Sequence, residues 1–280
     1  MAALKAYFDD SGKENDPQHN AISYGGYIGP ADAWTGFESK WQAVLTEFDA
    51  PYLHMSEFVP CEQAFISWRD KPEKKKAFLL ALIDVIEKSG LEWIAHAIDL
   101  GGLRKLNAEF GLSLEAEALA LYLCLLEMED RFGETVIEAI LDRVDKPNVL
   151  IRKAREIAKY ESRIRRVGEN IDLRAIPKSL SFREVLPLQA ADFIANESLK
   201  FTRKRIDIGI DAALPLRRKS FGALISCSGR GGYWSYKSLL SLHHSRNGAW
   251  PGTENGKHGL ALRALARVLK TGSSKGGDDD

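Results

Sequence analysis

The stretch "YFDDSG" at residues 7–12 decides how the fold is interpreted, because it places two adjacent carboxylates at the end of an apolar run. The preceding "ALKAY" reads as a short buried strand that ends at Asp9 and Asp10. Ser11 and Gly12 are enough for a turn, since serine bonds local backbone and glycine accepts positive φ. Two neighbouring charges at a strand end cost desolvation and repulsion unless a cation compensates them. The stretch therefore indicates a site that needs positive charge.

Outward from this strand, strands and amphipathic helices alternate along the chain. Apolar residues spaced by three and four predict helices, and short alternating or β-branched runs predict strands. The predicted strands lie at 4–9, 21–28, 91–99, 135–142 and 171–176. The predicted helices lie at 29–48, 71–90, 113–133, 148–168 and 186–204. This order predicts an α/β protein with helices on the faces of the sheet.

The first two strands have no crossover helix between them, so we expect a hairpin and a mixed sheet. The length of 280 residues fits one large domain with insertions. We predict a main domain over 1–205, which carries a helical insertion at about 31–90 after the second strand. A C-terminal extension over 206–270 is expected to pack on that domain, and 271–280 to form a disordered tail.

Composition excludes several classes of protein. Apolar residues make up 45% and charged residues 28% of the chain, as in ordinary globular proteins. No apolar run approaches the roughly 18 residues of a membrane span, and "MAALKAYFDD" does not read as a secretory leader. Three scattered cysteines favour reduced thiols. We therefore expect a cytoplasmic protein without a membrane partner; the sequence says nothing of its oligomeric state.

The net charge of zero conceals an uneven distribution. The chain through residue 142 carries 12 basic and 25 acidic residues, a balance of −13. Residues 143–219 carry 19 basic and 10 acidic residues, a balance of +9. Chance variation of a solvated surface is one explanation. The functional explanation is a basic face for a polyanion, nucleic acid, beside an acidic pocket that needs cations.

Acids at the ends of predicted elements are the candidates for that pocket. Asp9 ends the first strand and Asp142 the fourth, so the two meet at one sheet edge if these strands are neighbours. Asp192 lies in the first turns of a late helix, among apolar residues, and Glu115 and Glu117 begin the apolar helix. Clustered carboxylates suit hard divalent cations, Mg²⁺ or Mn²⁺, which activate water for phosphodiester cleavage.

The order of these elements and acids resembles the RNase H-like superfamily, and within it the bacterial family called domain of unknown function 3800. The resemblance runs from about residue 4 to 205. The stretches that carry it are "YFDDSG", "GGYIG", "LHMSEF", "AILD" and "LPLQAADFIA". The family pattern has Asp-Glu-Ser-Gly at the first motif, where this chain has Asp10 with a shorter reach.

The resemblance implies a site and an activity. Asp9, Asp142 and Asp192 would be catalytic metal ligands, joined by Asp10. A helix glutamate is also implied, with Glu117 or Glu115 as candidates. His54 and Glu57 match the family's His-x-x-Glu segment and would line the same cleft as catalytic residues. The implied activity is hydrolysis of phosphodiester bonds in nucleic acid by a metal-dependent nuclease.

Each candidate also has a structural explanation. Asp9 serves as a turn former, Asp142 as a partner of Arg143 or Lys146, and Asp192 as an acid favoured at a helix N-terminus. Asp10 is equally explained as a polar residue at a strand end. His54 suits proton transfer near neutral pH, or packs as a structural histidine.

Two basic stretches are candidates for nucleic-acid contact. The helix at 148–168 carries seven cations, and "GRGGYWSYKS" interleaves aromatic and basic residues. A solvated helix face and a loop with buried aromatics are the alternatives. Two further functions stay open. One is an inactive binding or scaffold protein on the same fold, and the other a hydrolase of small nucleotides.

Overall fold

A computed structural model describes residues 4–14, 20–133, 135–142, 147–158, 171–176, 183–209, 213 and 218–246. Within these ranges, strands form one mixed sheet in the order β5-β4-β1-β2-β3-β6. The strands are β1 Leu4–Ser11, β2 Ala21–Pro30, β3 Glu92–Asp99, β4 Ile137–Leu141, β5 Ile171–Ala175 and β6 Gly229–Trp234. The predicted α/β class and mixed sheet are confirmed.

Helices cover both faces of the sheet. They are α1 Ala31–Glu47, α2 Met55–Phe58, α3 Pro72–Glu87, α4 Leu100–Phe110, α5 Ala116–Phe132, α6 Pro147–Ala158, α7 Leu186–Ile208, α8 Lys219–Leu224 and α9 Tyr236–Ser245, with a 3₁₀ helix at Gln63–Trp68. Helices α1 to α3 lie between β2 and β3, where the helical insertion is predicted. Within the described ranges, no helix is long and apolar enough to cross a membrane.

Strand pairing sets where the acids lie. Strand β1 is antiparallel to β2 and parallel to β4, and Phe8 pairs with Leu141 in the parallel register. The amide of Asp142 then donates to the carbonyl oxygen of Phe8 at 3.0 Å. Because both strands run the same way, Asp9 and Asp142 are the next residues at the same edge. The first and fourth strands are therefore neighbours, which is the condition under which Asp9 and Asp142 were expected to meet.

The two faces of the sheet carry separate apolar cores. Phe8 and Tyr24 belong to the core under α4, α5 and α6, whereas Tyr7 and Tyr27 belong to the core under α1, α3 and α7. Since neighbouring strand residues point to opposite faces, Asp9 follows Tyr7 toward α7 and Asp10 follows Phe8 toward α5. The adjacent acids of β1 are therefore directed to different sides of the sheet.

The structure differs from the sequence interpretation at three places. The glycine-rich 229–234 forms β6, which pairs with β3, and not a loop. A Cβ at Gly231 would lie 1.9 Å from the carbonyl oxygen of Ala95, so only glycine permits this close approach. Helix α4 was not predicted at all; the Asp99 side chain caps it by accepting from the Gly101 amide at 2.9 Å. The segment after α1, for which no helix is predicted, contains the short helix α2.

The predicted domain limits remain predictions. Two elements of the structure lie across or beyond the limit predicted at residue 205. Strand β6 lies within the predicted extension over 206–270 and joins the main sheet beside β3. Helix α7 continues to Ile208, past the predicted limit at 205. The predicted tail at 271–280 lies outside the described residues.

Candidate functional site

Four aspartates gather where β1 and β4 end and α7 passes over them; we call Asp9, Asp10, Asp142 and Asp192 the acid edge. The pKa of Asp9 is well above its usual range, first because of burial and then because of the charges of Asp192, Asp10 and Asp142. Its carboxylate accepts the Asp10 amide at 2.8 Å, which offsets only part of this cost. The structure thus brings together the four acids that the sequence singled out.

Asp192 occupies the α7 side of the acid edge and is 7% exposed. Its Oδ2 accepts the backbone amide of Met55 at 2.6 Å, so it also holds the segment that contains His54. Burial raises its pKa to about 6, the Met55 amide and the charge of His54 oppose that rise, and Asp142 adds to it. Asp192 therefore has a structural role and lies in the electrostatic field of the other acids.

Gln189, one turn before Asp192, fastens the same segment. Its Oε1 accepts the Leu53 amide at 2.9 Å and the Trp41 indole N–H at 3.0 Å, all buried. These bonds satisfy donors that would otherwise be buried without an acceptor. Helix α7 thus positions the loop before α2, and with it His54, against the acid edge.

Asp10 occupies the other face of the same sheet edge. Burial raises its pKa to about 6, Asp142 adds to the rise, and Lys13 opposes it. Asp10 pairs across the strands with Tyr24, whose phenol pKa is raised first by burial and then by Asp10 and Glu117. Of the two helix glutamates, Glu117 thus acts on the same phenol as Asp10, whereas Glu115 is exposed and contacts Lys153.

His54 and Glu57 form a unit beside Asp192. The His54 Nδ1 lies 3.2 Å from the Glu57 carboxylate, and the Tyr52 hydroxyl donates to the other Glu57 oxygen at 2.6 Å. Arg183 stacks on the Tyr52 ring at 4.4 Å and approaches Glu57 at 3.7 Å. Burial alone would raise the pKa of Glu57, but Tyr52, His54 and Arg183 together lower it. Glu57 is therefore held as an anion that orients His54.

Metal binding can be assessed from the donor set and from its arrangement. Half-buried and buried carboxylates that raise one another's pKa match the donors of a hard divalent cation, whose charge would relieve their repulsion. Among the described residues, no group of three or more histidines, cysteines, aspartates and glutamates is arranged to hold an ion. The acid edge fits a metal in chemistry, while its side chains are not arranged as a completed metal centre.

The two basic stretches have mostly structural partners in the part of the chain that is described. On α6, Lys153 contacts Glu115, Arg152 lies 3.9 Å from Glu156, and the Arg155 guanidinium donates to a backbone carbonyl. The cations of the predicted helix beyond residue 158 lie outside the described residues.

In "GRGGYWSYKS", the side chains make protein contacts. The Trp234 indole donates to His96 at 3.0 Å, the Tyr236 hydroxyl contacts Glu109, and Arg205 stacks on Tyr233. These three aromatic side chains are half-buried, and their contact with nucleic acid stays a prediction.

Comparison of the chain with protein-family models, with curated proteins and with solved structures finds no match. The acid edge and its surroundings therefore supply the functional argument.

The sequence interpretation missed Tyr52, Arg183 and Lys200. Tyr52 lies two residues before His54 and is a recognisable companion of that segment. Arg183 is distant in sequence from Glu57, which it approaches at 3.7 Å, whereas Lys200 follows Asp192 on α7 and its charge lowers the pKa of Asp192. No spacing rule in the sequence would have selected them.

Proposed function

We propose that this protein is a divalent-metal-dependent hydrolase of phosphodiester bonds in nucleic acid, built on an RNase H-like domain. The observation that carries the proposal is Asp9, which is half-buried and lies among three other aspartates whose charges raise its pKa. A fold does not retain such repulsion for stability, since an uncompensated buried carboxylate is costly. Positive charge brought by a ligand relieves it.

The sheet supports the RNase H-like part of the proposal. Strands β1, β2 and β3 are antiparallel neighbours, and the later strands β4 and β5 run parallel to β1. The acids at the ends of β1 and β4 are then neighbours, as the resemblance in "YFDDSG" and "AILD" implies.

In the proposed reaction, the aspartates would bind the metal and His54 would transfer a proton. Asp9, Asp142 and Asp192 would hold Mg²⁺ or Mn²⁺ on the α7 side, with Asp10 and Glu117 available from the other face. A bound divalent ion supplies Lewis acidity and a water of lowered pKa. His54 would carry a proton to or from the reacting oxygens, because Glu57 fixes its ring and Tyr52 fixes Glu57. The three free cysteines agree with a reducing, cytoplasmic setting.

The direct test is Mn²⁺-dependent cleavage of labelled RNA and DNA oligonucleotides by Asp9→Asn and Asp192→Asn. We expect both to lose cleavage without a fall in melting temperature, because asparagine keeps the size and the acceptor oxygen. Asp84→Asn is the matched control, since Asp84 is exposed on α3 and pairs only locally with Lys88. Full cleavage by either acid-edge variant would refute the assignment.

A binding or scaffold protein is the second candidate, favoured by the absence of a completed metal group among the described residues and by the bond from Met55 to Asp192. Thermal unfolding with added Mn²⁺ separates the two. A hydrolase should be stabilised by about 2.7 kcal/mol at a hundredfold excess over Kd, and Asp9→Asn should not respond. No shift in the wild type at millimolar Mn²⁺ would favour the scaffold.

A further inference from the structure

A short basic run lies in the acidic half of the chain, between the 3₁₀ helix and the first turns of α3. The stretch "RDKPEKKK" at 69–76 has five basic and two acidic residues, a balance of +3, whereas the first 142 residues together have a balance of −13. It holds five of the twelve cations of that half. We call these five the basic turn: Arg69, Lys71, Lys74, Lys75 and Lys76.

The basic turn differs from other cations of the same half in its lack of acidic partners. Lys88 pairs with Asp84 at 2.7 Å, and Arg131 pairs with Glu92. In the part of the chain that is described, no cation of the basic turn forms an ion pair with a carboxylate, although two acids lie among them in sequence. Intramolecular ion pairing therefore does not explain this concentration of charge.

Two cations of the basic turn contribute to the structure of the protein itself. The Lys75 ammonium donates to the carbonyl oxygen of Val59 at 3.0 Å and to the Cys61 sulfur at 2.9 Å. The Lys74 ammonium lies 4.0 Å from the centre of the Trp68 ring, which is a cation–π contact. These two lysines thus fasten α3 to the segments before it.

The other three cations, Arg69, Lys71 and Lys76, are exposed. Their side chains have no hydrogen bond, ion pair or ring contact with any described residue. Two markedly exposed apolar side chains lie beside the turn, Val59 at 42% and Ile66 at 61%, and the Arg69 amide donates to the Ile66 carbonyl oxygen. Cations beside apolar groups suit a polymer that carries both phosphates and bases better than they suit a small inorganic anion.

Helix α2 connects the basic turn to the acid edge. At its start, the Met55 amide donates to Asp192, and directly after its end, the Val59 carbonyl oxygen accepts from Lys75. A helix rises about 1.5 Å per residue, so α2 separates these two contacts by about 6 Å. A nucleic-acid strand bound at the acid edge therefore reaches the basic turn with its neighbouring phosphates.

We propose that Arg69, Lys71 and Lys76 bind backbone phosphates of a nucleic-acid strand that continues from the acid edge past α2. Phosphate oxygens supply the charged acceptors that these cations lack within the protein. The identity of the polymer rests on the proposed function. Binding at this surface does not, because none of the three cations belongs to the acid edge. The alternative is a solvated surface, on which the cations would act only through the net charge of the protein.

The test is fluorescence anisotropy of labelled single-stranded DNA and RNA oligonucleotides in EDTA, where no metal-dependent cleavage takes place. The variant combines Arg69→Gln, Lys71→Gln and Lys76→Gln. We expect it to bind at least about tenfold more weakly at about 50 mM salt. The slope of log K against log salt should become shallower by about 0.7 for each lost phosphate contact, about 2 in all. Its melting temperature should equal that of the wild type, because none of the three side chains has a partner to lose.

The matched control combines Lys40→Gln, Lys88→Gln and Lys105→Gln, which removes the same charge from exposed positions on α1, α3 and α4. It should bind almost as the wild type does. Equal affinities of the two triple variants would overturn the inference, because net charge alone would then explain binding. Displacement of the oligonucleotide by heparin at equal charge concentration would also overturn it, since the surface would not distinguish a nucleic-acid strand from another polyanion.

Cleavage assays with Mn²⁺ separate this inference from the proposed function. Binding that depends on the basic turn, in a wild type that cleaves neither oligonucleotide, would support the surface and refute the nuclease. Cleavage that the basic-turn variant retains in full at substrate concentrations below Kd would overturn the surface and leave the nuclease intact.

Discussion

Asp192 and Glu197 are buried carboxylates on the same helix, five residues apart, and their surroundings are opposite. Glu197 has a guanidinium at 2.8 Å and a hydroxyl at 2.7 Å, both provided by the segment around α8. Asp192 has one backbone amide, and its other neighbours include two acids, Asp9 and Asp142. The fold thus gives the Glu197 carboxylate a cationic partner and a hydroxyl donor. The Asp192 carboxylate has less positive charge beside it.

The comparison shows how a structural carboxylate differs from a candidate functional one. At Glu197, the charge contributes to stability because its partners are built into the fold. At Asp192, burial raises the pKa to about 6, so ionisation opposes folding near neutral pH. Three experiments test this difference, in order of expected effect.

Arg218→Met should produce the largest change. It removes the guanidinium while filling similar volume, and leaves the buried Glu197 with Lys200 at 3.6 Å and Ser220. We expect a loss of about 3 kcal/mol in the free energy of unfolding, measured by urea denaturation. Lys88→Met removes an exposed pair with Asp84 and should cost less than about 0.5 kcal/mol. Equal losses in the two variants would show that Glu197 does not depend on its partner.

Asp192→Asn should have the opposite sign. Its folded pKa of about 6 lies above the ordinary 3.8, so the folded protein holds this proton more tightly than the unfolded chain does. The corresponding stability is complete below about pH 4 and is lost as the pH rises through about 6. Asparagine does not ionise, and we expect the variant to be more stable than the wild type by about 3 kcal/mol at pH 8.

The measurement is urea denaturation of Asp192→Asn and the wild type at pH 4.5 and at pH 8, without divalent metal. The difference between the two proteins should be small at the lower pH and large at the higher one. A variant that is less stable than the wild type at pH 8 would mean that the bond from Met55, and not the unmet charge, dominates at this position.

Tyr52→Phe should produce the smallest change in stability, about 1 kcal/mol, because it removes one hydroxyl from a partly exposed carboxylate. Tyr52 is among the groups that lower the pKa of Glu57, so the variant should raise that pKa toward its ordinary value. Carboxyl NMR titration measures this shift. An unchanged Glu57 titration would leave Arg183 and His54 as the groups that hold this anion.

Much of the fold could be predicted from local patterns. Helix α1 follows from aromatic residues spaced by three and four, and α3 from a proline near its start and a glycine after its end. Helix α4 escaped prediction because its charged residues mask a short apolar face; its cap at Asp99 is the signal that was available. Strand β6 was not predicted, because glycine has little intrinsic preference for a strand. Its glycines are explained by the close approach of β6 to the backbone of β3.

Some residues of the candidate site could be predicted from the sequence and others could not. Asp9, Asp10 and Asp142 were found because acids at strand ends are visible in the sequence. The alternation of side chains along β1 places Asp9 and Asp10 on different faces of the sheet. Which groups surround each acid depends on the helices that pack on the two faces. Arg183 could not be found, because it is distant in sequence from Glu57. Lys200 lies on α7 with Asp192, but no motif in the sequence marks it.

By itself the sequence determined which segments become strands and helices and that carboxylates accumulate at their ends, because apolar periodicity and turn chemistry act between near neighbours. The tertiary structure alone decided which of those carboxylates are compensated. Two acids on one helix, Asp192 and Glu197, have the same local chemistry. Their charges are met or unmet according to which distant segments pack beside them, since electrostatic free energy depends on distance in space and on burial, not on position along the chain.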